Sequence, residues 1–267
     1  MTLLHYTLAD AQQWAAFSGD ENPIHFDLAA ARQMGAGQLS VHGMRALLDV
    51  KRDAHSRLYR PERYVKCQVR LRRPIWCDTD WLLTPGLAKN RLLSATSVSN
   101  PQNGELCLSC QMSTAAEPES LVGTQPCTIA PKTLRELQSC FNAAWPDLAQ
   151  WQFLDALLFR QLIGDPALLR QESIASLLGP GETSLQQIFT RYPVLQTHQE
   201  VVFDARLAGK ATPIWPESLA LWLLPSLVVG QVEQGALVRI AAAAQLDDLI
   251  ITKRGHAKSW PLCIIDN

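Results

Sequence analysis

The residues best suited to chemistry lie together near the N-terminus, in Phe17-Ser18-Gly19-Asp20-Glu21-Asn22-Pro23-Ile24-His25. Asp20 and His25 stand five positions apart in a turn-rich stretch. Gly19 permits backbone angles closed to other residues, and Pro23 stiffens the chain. A rigid loop can hold a carboxylate and an imidazole at one small site. Such a pair suits general acid–base work, because histidine titrates near neutral pH and a carboxylate can orient it. The same residue types also serve as turn and cap residues, and spacing alone leaves both uses open.

The elements around this loop must hold it still. Residues 8–17 read as a short helix and 27–34 as another, with Asp27 as its N-cap. Gly35 and Gly37 break the pattern. Residues 41–54 read as a longer, largely buried helix, with Met44, Leu47 and Leu48 at helical spacing. Val65, Cys67, Val69 and Leu71 then alternate with Lys66, Gln68, Arg70 and Arg72, the period of a half-buried strand. Further strands are expected within 80–88, 91–99 and 105–114, the last two joined by the turn Asn100-Pro101-Gln102-Asn103-Gly104. Residues 1–115 therefore read as an α+β unit, an antiparallel meander wrapping one central helix.

Residues 116–131 carry three prolines and little periodicity, and read as a linker. Residues 132–267 repeat the coarse order. Helices are expected in 133–145 and 151–163, a Gly/Pro-rich break at 177–184, and strands near 198–207, 218–229, 236–244 and 248–257. No residue-level repeat accompanies this order, so an internal duplication rests on element order alone.

Composition narrows the classes. The chain has 267 residues, 47% hydrophobic and 18% charged, and a net charge of −1. That is an ordinary globular balance, and it lacks the basic excess of a nucleic-acid surface. Seven cysteines, an odd and scattered set, suggest reduced thiols and a cytoplasmic location. Cys107-x-x-Cys110 on a strand would turn its thiols to opposite faces, and no second pair completes a zinc site. MTLLHYTLAD lacks the pattern of a secretory signal. The apolar run Leu219–Val229 contains Pro225 and is too short to span a membrane. The eight tryptophans read as core, and Gly179-Pro180-Gly181 as a loop break. Arg70, Arg72 and Arg73 suit either coenzyme phosphates or a solvated strand face.

Ser18-Gly19-Asp20-x-Asn22-Pro23-Ile24-His25, with Ala31 six positions after the histidine and His42-Gly43-Met44 further on, resembles the signature of MaoC-type hydratases and (R)-specific enoyl-CoA hydratases. The resemblance covers roughly residues 1–115. Phe17 departs from it, where the family more often has a small aliphatic residue, and this is expected to affect packing rather than chemistry. The resemblance implies a hot-dog fold and, with the second half, a double hot dog in which residues 132–267 are degenerate. An unrelated α+β domain is the alternative there, since His198 and His256 sit in no matching loop. The resemblance also implies an acyl thioester substrate, of coenzyme A or acyl carrier protein, and reversible hydration of its trans-2-enoyl form. Asp20 and His25 would be the catalytic pair and the Gly43 N–H the oxyanion donor. Asn22, His42 and Met44 would contact substrate or hold the loop. No cofactor, metal, nucleic acid or membrane is implied, and a monomer or homodimer is expected. A hot-dog thioesterase or a non-catalytic acyl-thioester binder are the alternatives; for the former, the long helix offers Asp49 and Asp53.

Overall fold

The computed structural model describes residues 1–33, 35–58, 63–86, 92–118, 126–178, 184–191, 194–210, 219–232 and 235–259. The chain opens with β1 (Thr2–Tyr6), α1 (Leu8–Ser18), a 3-10 turn (Pro23–His25), α2 (Leu28–Gln33), β2 (Ser40–Val41) and α3 (Gly43–Ser56). Strands β3 (Tyr64–Leu71), β4 (Ile75–Trp76), β5 (Thr79–Pro85), β6 (Leu93–Ser99) and β7 (Leu106–Ala115) complete the first half. The second half runs β8 (Cys127–Ile129), α4 (Pro131–Ala144), α5 (Gln150–Gly164), α6 (Glu172–Ala175), α7 (Leu185–Arg191) and β9 (Val194–Asp204). A 3-10 turn (Ala205–Ala208), β10 (Leu219–Val232), β11 (Gly235–Leu246) and β12 (Leu249–Ser259) follow.

The main sheet has ten strands in the order β1-β5-β6-β7-β3-β9-β12-β11-β10-β8. Read outward from the centre, both halves have the same order. Among the described residues every strand pairing is antiparallel, and β3 meets β9 with Tyr64 opposite Asp204 and Arg70 opposite His198. Each half wraps a helix: α3 lies against β6 and β7, and α5 against β11 and β12. This is a double hot dog, α+β in class, and one core runs through both halves.

Local sequence explains the helices. Asp10 reaches back to the Thr7 N–H at 3.0 Å and closes the start of α1. Asp27 accepts the Ala29 N–H at 2.7 Å, the cap expected for α2. The long helix begins at Gly43 and not at 41, because Ser40 and Val41 pair with Trp76 and Ile75. Every residue of α5 from Gln150 to Leu158 is buried, as a helix apolar on nearly all sides must be. Trp151 stacks flat on Phe203, with ring centroids 4.4 Å apart.

Phe17 belongs to the core. It is buried between Phe141 and Trp145 of the second half, at centroid distances of 5.2 and 5.8 Å. Trp14, Trp81, Trp145 and Trp151 are core, while Trp215 and Trp260 lie outside the described residues. So do Gly179-Pro180-Gly181 and Cys263. Cys107 and Cys110 are both buried. A register shift at Val98/Ser99 of the neighbouring strand disturbs the ladder there. Cys110 faces Cys67 at 3.5 Å, whereas Cys107 turns to the Glu105 carbonyl. The 116–131 stretch contains β8, which pairs with β10 through Cys127–Ile129.

The halves differ in one instructive way. In the first, residues 19–42 intervene between α1 and the central helix. In the second, the corresponding connection is Trp145–Ala149. The second half instead carries α6 and α7 after its central helix, and these form a smaller apolar cluster with Ala236 and Val238 of β11. No helix among the described residues is long and apolar enough to cross a membrane.

Candidate active site

The loop after α1 is built from successive short hydrogen bonds. Gly19 ends the helix at φ +75° and donates to the Ala15 carbonyl at 2.7 Å. Ser18 Oγ accepts the Asp20 N–H at 3.1 Å, Asp20 Oδ1 accepts the Asn22 N–H at 3.3 Å, and Asn22 Oδ1 accepts the Ile24 N–H at 3.3 Å. Pro23 then starts the 3-10 turn that delivers His25. Each step spans two residues, so the loop's shape is written in its own sequence. Gly19→Ala is expected to lower stability by about 1 kcal/mol, measured by urea unfolding, because a left-handed backbone disfavours any Cβ. That Cβ would meet nothing within 4 Å, so a much larger loss would exclude a purely backbone effect.

Longer-range contacts orient the rings. His25 Nδ1 lies 2.7 Å from the Ser40 carbonyl of β2. A carbonyl accepts only, so Nδ1 carries the hydrogen and Nε2 keeps a bare lone pair. His42, just before α3, donates from Nε2 to the Asp20 carbonyl at 2.8 Å. Among the described residues its Nδ1 is buried without a partner. The two imidazoles stack with centroids 3.7 Å apart, tilted by 31°. Ligand-type atoms of Asp20, His25 and His42 lie within 4.8 Å of one another, close enough to grip a water molecule or a cation.

Burial governs the charges. Asp20 and His25 are 8% and 7% exposed. Burial pushes the Asp20 carboxyl up to about 6, against the Asn22 N–H that favours its charged form. Burial pushes His25 down to about 4, the Ser40 carbonyl opposing it, and His42 down to about 2, with His25 adding to the effect. Near neutral pH the site therefore holds two neutral imidazoles and a carboxylate of raised basicity.

Asp20 and His25 line a cavity of about 680 Å³. Asp20, Asn22, His25, Gly43 and Met44 all border it; His42 lies behind His25 and does not. Gly43 opens α3, so its N–H has no acceptor within the helix. The remaining walls are mostly apolar and come from both halves, including Leu108 of β7, Phe159 and Leu162 of α5, Ile188 of α7 and Ile240 of β11. Arg72 and Arg73 border the cavity too, held by Ser109 and Glu105 at 2.8 Å each.

Sequence inspection missed Lys253, which also borders the cavity and is 1% exposed. It missed Lys51 and Asp155, buried beside it. The available signal was a charge inside an otherwise apolar helix face or strand, which folds without great loss when the charge finds a partner.

No family model and no curated protein sequence matches the chain. Among solved structures, a double-hotdog protein of Mycobacterium tuberculosis shares 9% identity, covering 97% of this chain and 94% of its own, at a TM-score of 0.48. A MaoC domain protein named as a dehydratase, from Chloroflexus aurantiacus, shares 10%, covering 98% and 93%, at 0.49. The tesB protein of Mycobacterium avium subspecies paratuberculosis shares 13%, covering 83% and 88%, at 0.46. At such identities and TM-scores none of the three carries an activity over to this chain. By its own strand order and helix packing the chain is a double hot-dog protein, whose first half holds a buried loop resembling the MaoC hydratase signature.

Proposed function

We propose that the protein is a hydro-lyase that adds water to trans-2-enoyl thioesters and, in reverse, removes it from 3-hydroxyacyl thioesters. The observation that supports this most is the buried pair of complementary acceptors: the bare Nε2 of His25 and the raised carboxylate of Asp20, both at the wall of one cavity. A water molecule has two hydrogens. Placed between these groups, it gives one to each and turns an oxygen lone pair toward a bound acyl chain.

Asp20, the stronger base of the two, takes the water's proton as the new C–O bond forms at the β-carbon. The electron pair of the C=C bond moves onto the thioester oxygen. The Gly43 N–H, at the positive end of α3, holds that enolate oxygen. The proton then passes from Asp20 to the α-carbon, so the cycle neither gains nor loses one. Asn22 shapes the loop through Ile24. His42 fixes the Asp20 backbone through its carbonyl and backs the His25 ring, and Met44 forms part of the wall beside Gly43.

A hot-dog thioesterase would use a carboxylate of the central helix instead. Here Asp49 is engaged by Tyr6, Arg45 and Arg52, and Asp53 by Arg57 and Thr96; neither borders the cavity. The test is hydration of trans-2-butenoyl-CoA and longer enoyl-CoA esters, followed by loss of enoyl thioester absorbance. Tight binding of enoyl thioesters on both carriers without turnover would sink the enzyme assignment.

The pH profile carries a sign. Ionised Asp20 is the active form, so kcat/KM for hydration should rise about tenfold per pH unit below about 6 and level off above it. Asp20→Asn should abolish that rise. A rate that falls as pH climbs through 6 would mean that Asp20 acts as an acid in the hydration direction.

A further inference from the structure

Asp155 lies at the centre of a fully buried charge cluster that joins the halves. Its Oδ2 is 2.5 Å from Lys51 Nζ of α3, and its Oδ1 is 2.8 Å from Lys253 Nζ of β12. Gln199 of β9 donates to Asp155 Oδ1 at 2.7 Å and accepts from Lys51 at 2.7 Å. Two ammonium groups thus share one carboxylate. Among the described residues, Asp155 is the one acid paired with either lysine. The cluster has a formal charge of +1 on buried side chains, an unfavourable state unless something anionic completes it.

Of the two lysines, Lys253 is the one that borders the cavity. Its Nζ has three hydrogens. The Asp155 side chain takes one, and the Asp155 backbone carbonyl, at 3.0 Å, takes another. Among the described residues, what remains near the third is Met44 Sδ at 3.8 Å and the Phe159 ring, centred 5.3 Å away. A thioether and an aromatic face are weak acceptors. Lys253, Met44 and Phe159 all border the cavity, and Met44 directly follows Gly43. The ammonium group therefore lies within one side chain's reach of the proposed oxyanion donor, in a wall that is mostly apolar.

We propose that Lys253 is a specificity-determining residue that receives a carboxylate carried by the acyl group, so that the preferred substrate is the thioester of a dicarboxylic acid. This deepens the hydratase assignment and rests on it. A ligand carboxylate against Nζ would bring the cluster to neutrality and use the third hydrogen, which a methyl-ended chain cannot do. Burial, opposed by Asp155 and reinforced by Lys51, draws the Lys253 ammonium down to about 8, the direction expected of an incompletely neutralised site.

The experiment compares acyl chains of equal length that end in methyl or carboxylate, at four and at six carbons, as trans-2-enoyl-CoA esters. Wild type should favour the carboxylate by at least tenfold in kcat/KM at one of these lengths. Lys253→Met should remove that preference and change the methyl-ended rate less than threefold; Lys253→Arg, which keeps the charge, should retain part of it. Equal rates, a preference for methyl at both lengths, or equal losses on both chains in Lys253→Met would overturn the proposal. Should Lys253→Met fail to fold, the wild-type comparison decides alone. A binding arm separates this proposal from the hydratase assignment: saturated succinyl-CoA and adipyl-CoA against butyryl-CoA and hexanoyl-CoA, by calorimetry on wild type. Tighter binding of a diacid ester without turnover of any enoyl ester would sink the hydratase and keep the anion site. No preference in binding would sink the anion site whatever the turnover.

Discussion

Asp20→Asn and His25→Ala are each expected to lower kcat/KM for hydration by about a thousandfold or more, near 4 kcal/mol of lost transition-state stabilisation. The two losses have different origins. Asparagine is isosteric with aspartate and can still accept the Asn22 N–H, so the loop should keep its shape while losing its base. Alanine at 25 removes the second acceptor for the water, together with the ring that stacks on His42 and binds the Ser40 carbonyl. The pair grips one water, so the double variant should be little worse than the poorer single one. Circular dichroism and urea unfolding would verify that both variants are folded. A loss under tenfold in a folded Asp20→Asn protein would remove Asp20 from the chemistry.

Asp155→Ala should have the largest effect on stability. It leaves Lys51 and Lys253 buried with no opposing charge, and breaking a buried pair from one side typically costs about 3–5 kcal/mol. That is a large share of the ~5–15 kcal/mol by which most domains are stable. The ionised carboxylate is the form the cluster needs. Burial pushes its pKa up, but Lys253 and Lys51 outweigh burial and hold it below the ordinary value. Its contribution is therefore present above the unfolded pKa and disappears as pH falls through the lower folded one. Chemical unfolding near neutral pH gives the loss directly. A change below about 1 kcal/mol would show that water or rearrangement already compensates the two lysines. Replacing all three charged residues by apolar ones of similar volume should cost much less than removing Asp155 alone.

Much of the loop was legible because its bonds are local. Ser18 to Asp20, Asp20 to Asn22 and Asn22 to Ile24 each close within two residues, and Gly19 and Pro23 act at their own backbone positions. The helix expected in 151–163 was visible as a helical pattern, and the strands expected at 65–72 and 198–207 as alternating ones. Short elements escaped. Strand β8, in a Pro-rich stretch, exists through its pairing with β10, and β2 through its pairing with β4. Two residues carry no periodicity to detect. Helices α6 and α7 escaped as well, since one has four residues and the other seven.

The sequence by itself determined the helix and meander of the first half, and a rigid acid–imidazole loop, through contacts a few positions apart. Tertiary structure alone decided what surrounds that loop. Ser40 reaches His25 from a strand fifteen positions away, and His42 meets Asp20 across twenty-two. Asp155 gathers Lys51 and Lys253 from 104 and 98 positions away. The physical reason is the same in each case. A buried polar group must find a partner or unfold its surroundings, and which partner it finds depends on where the whole chain brings its neighbours together.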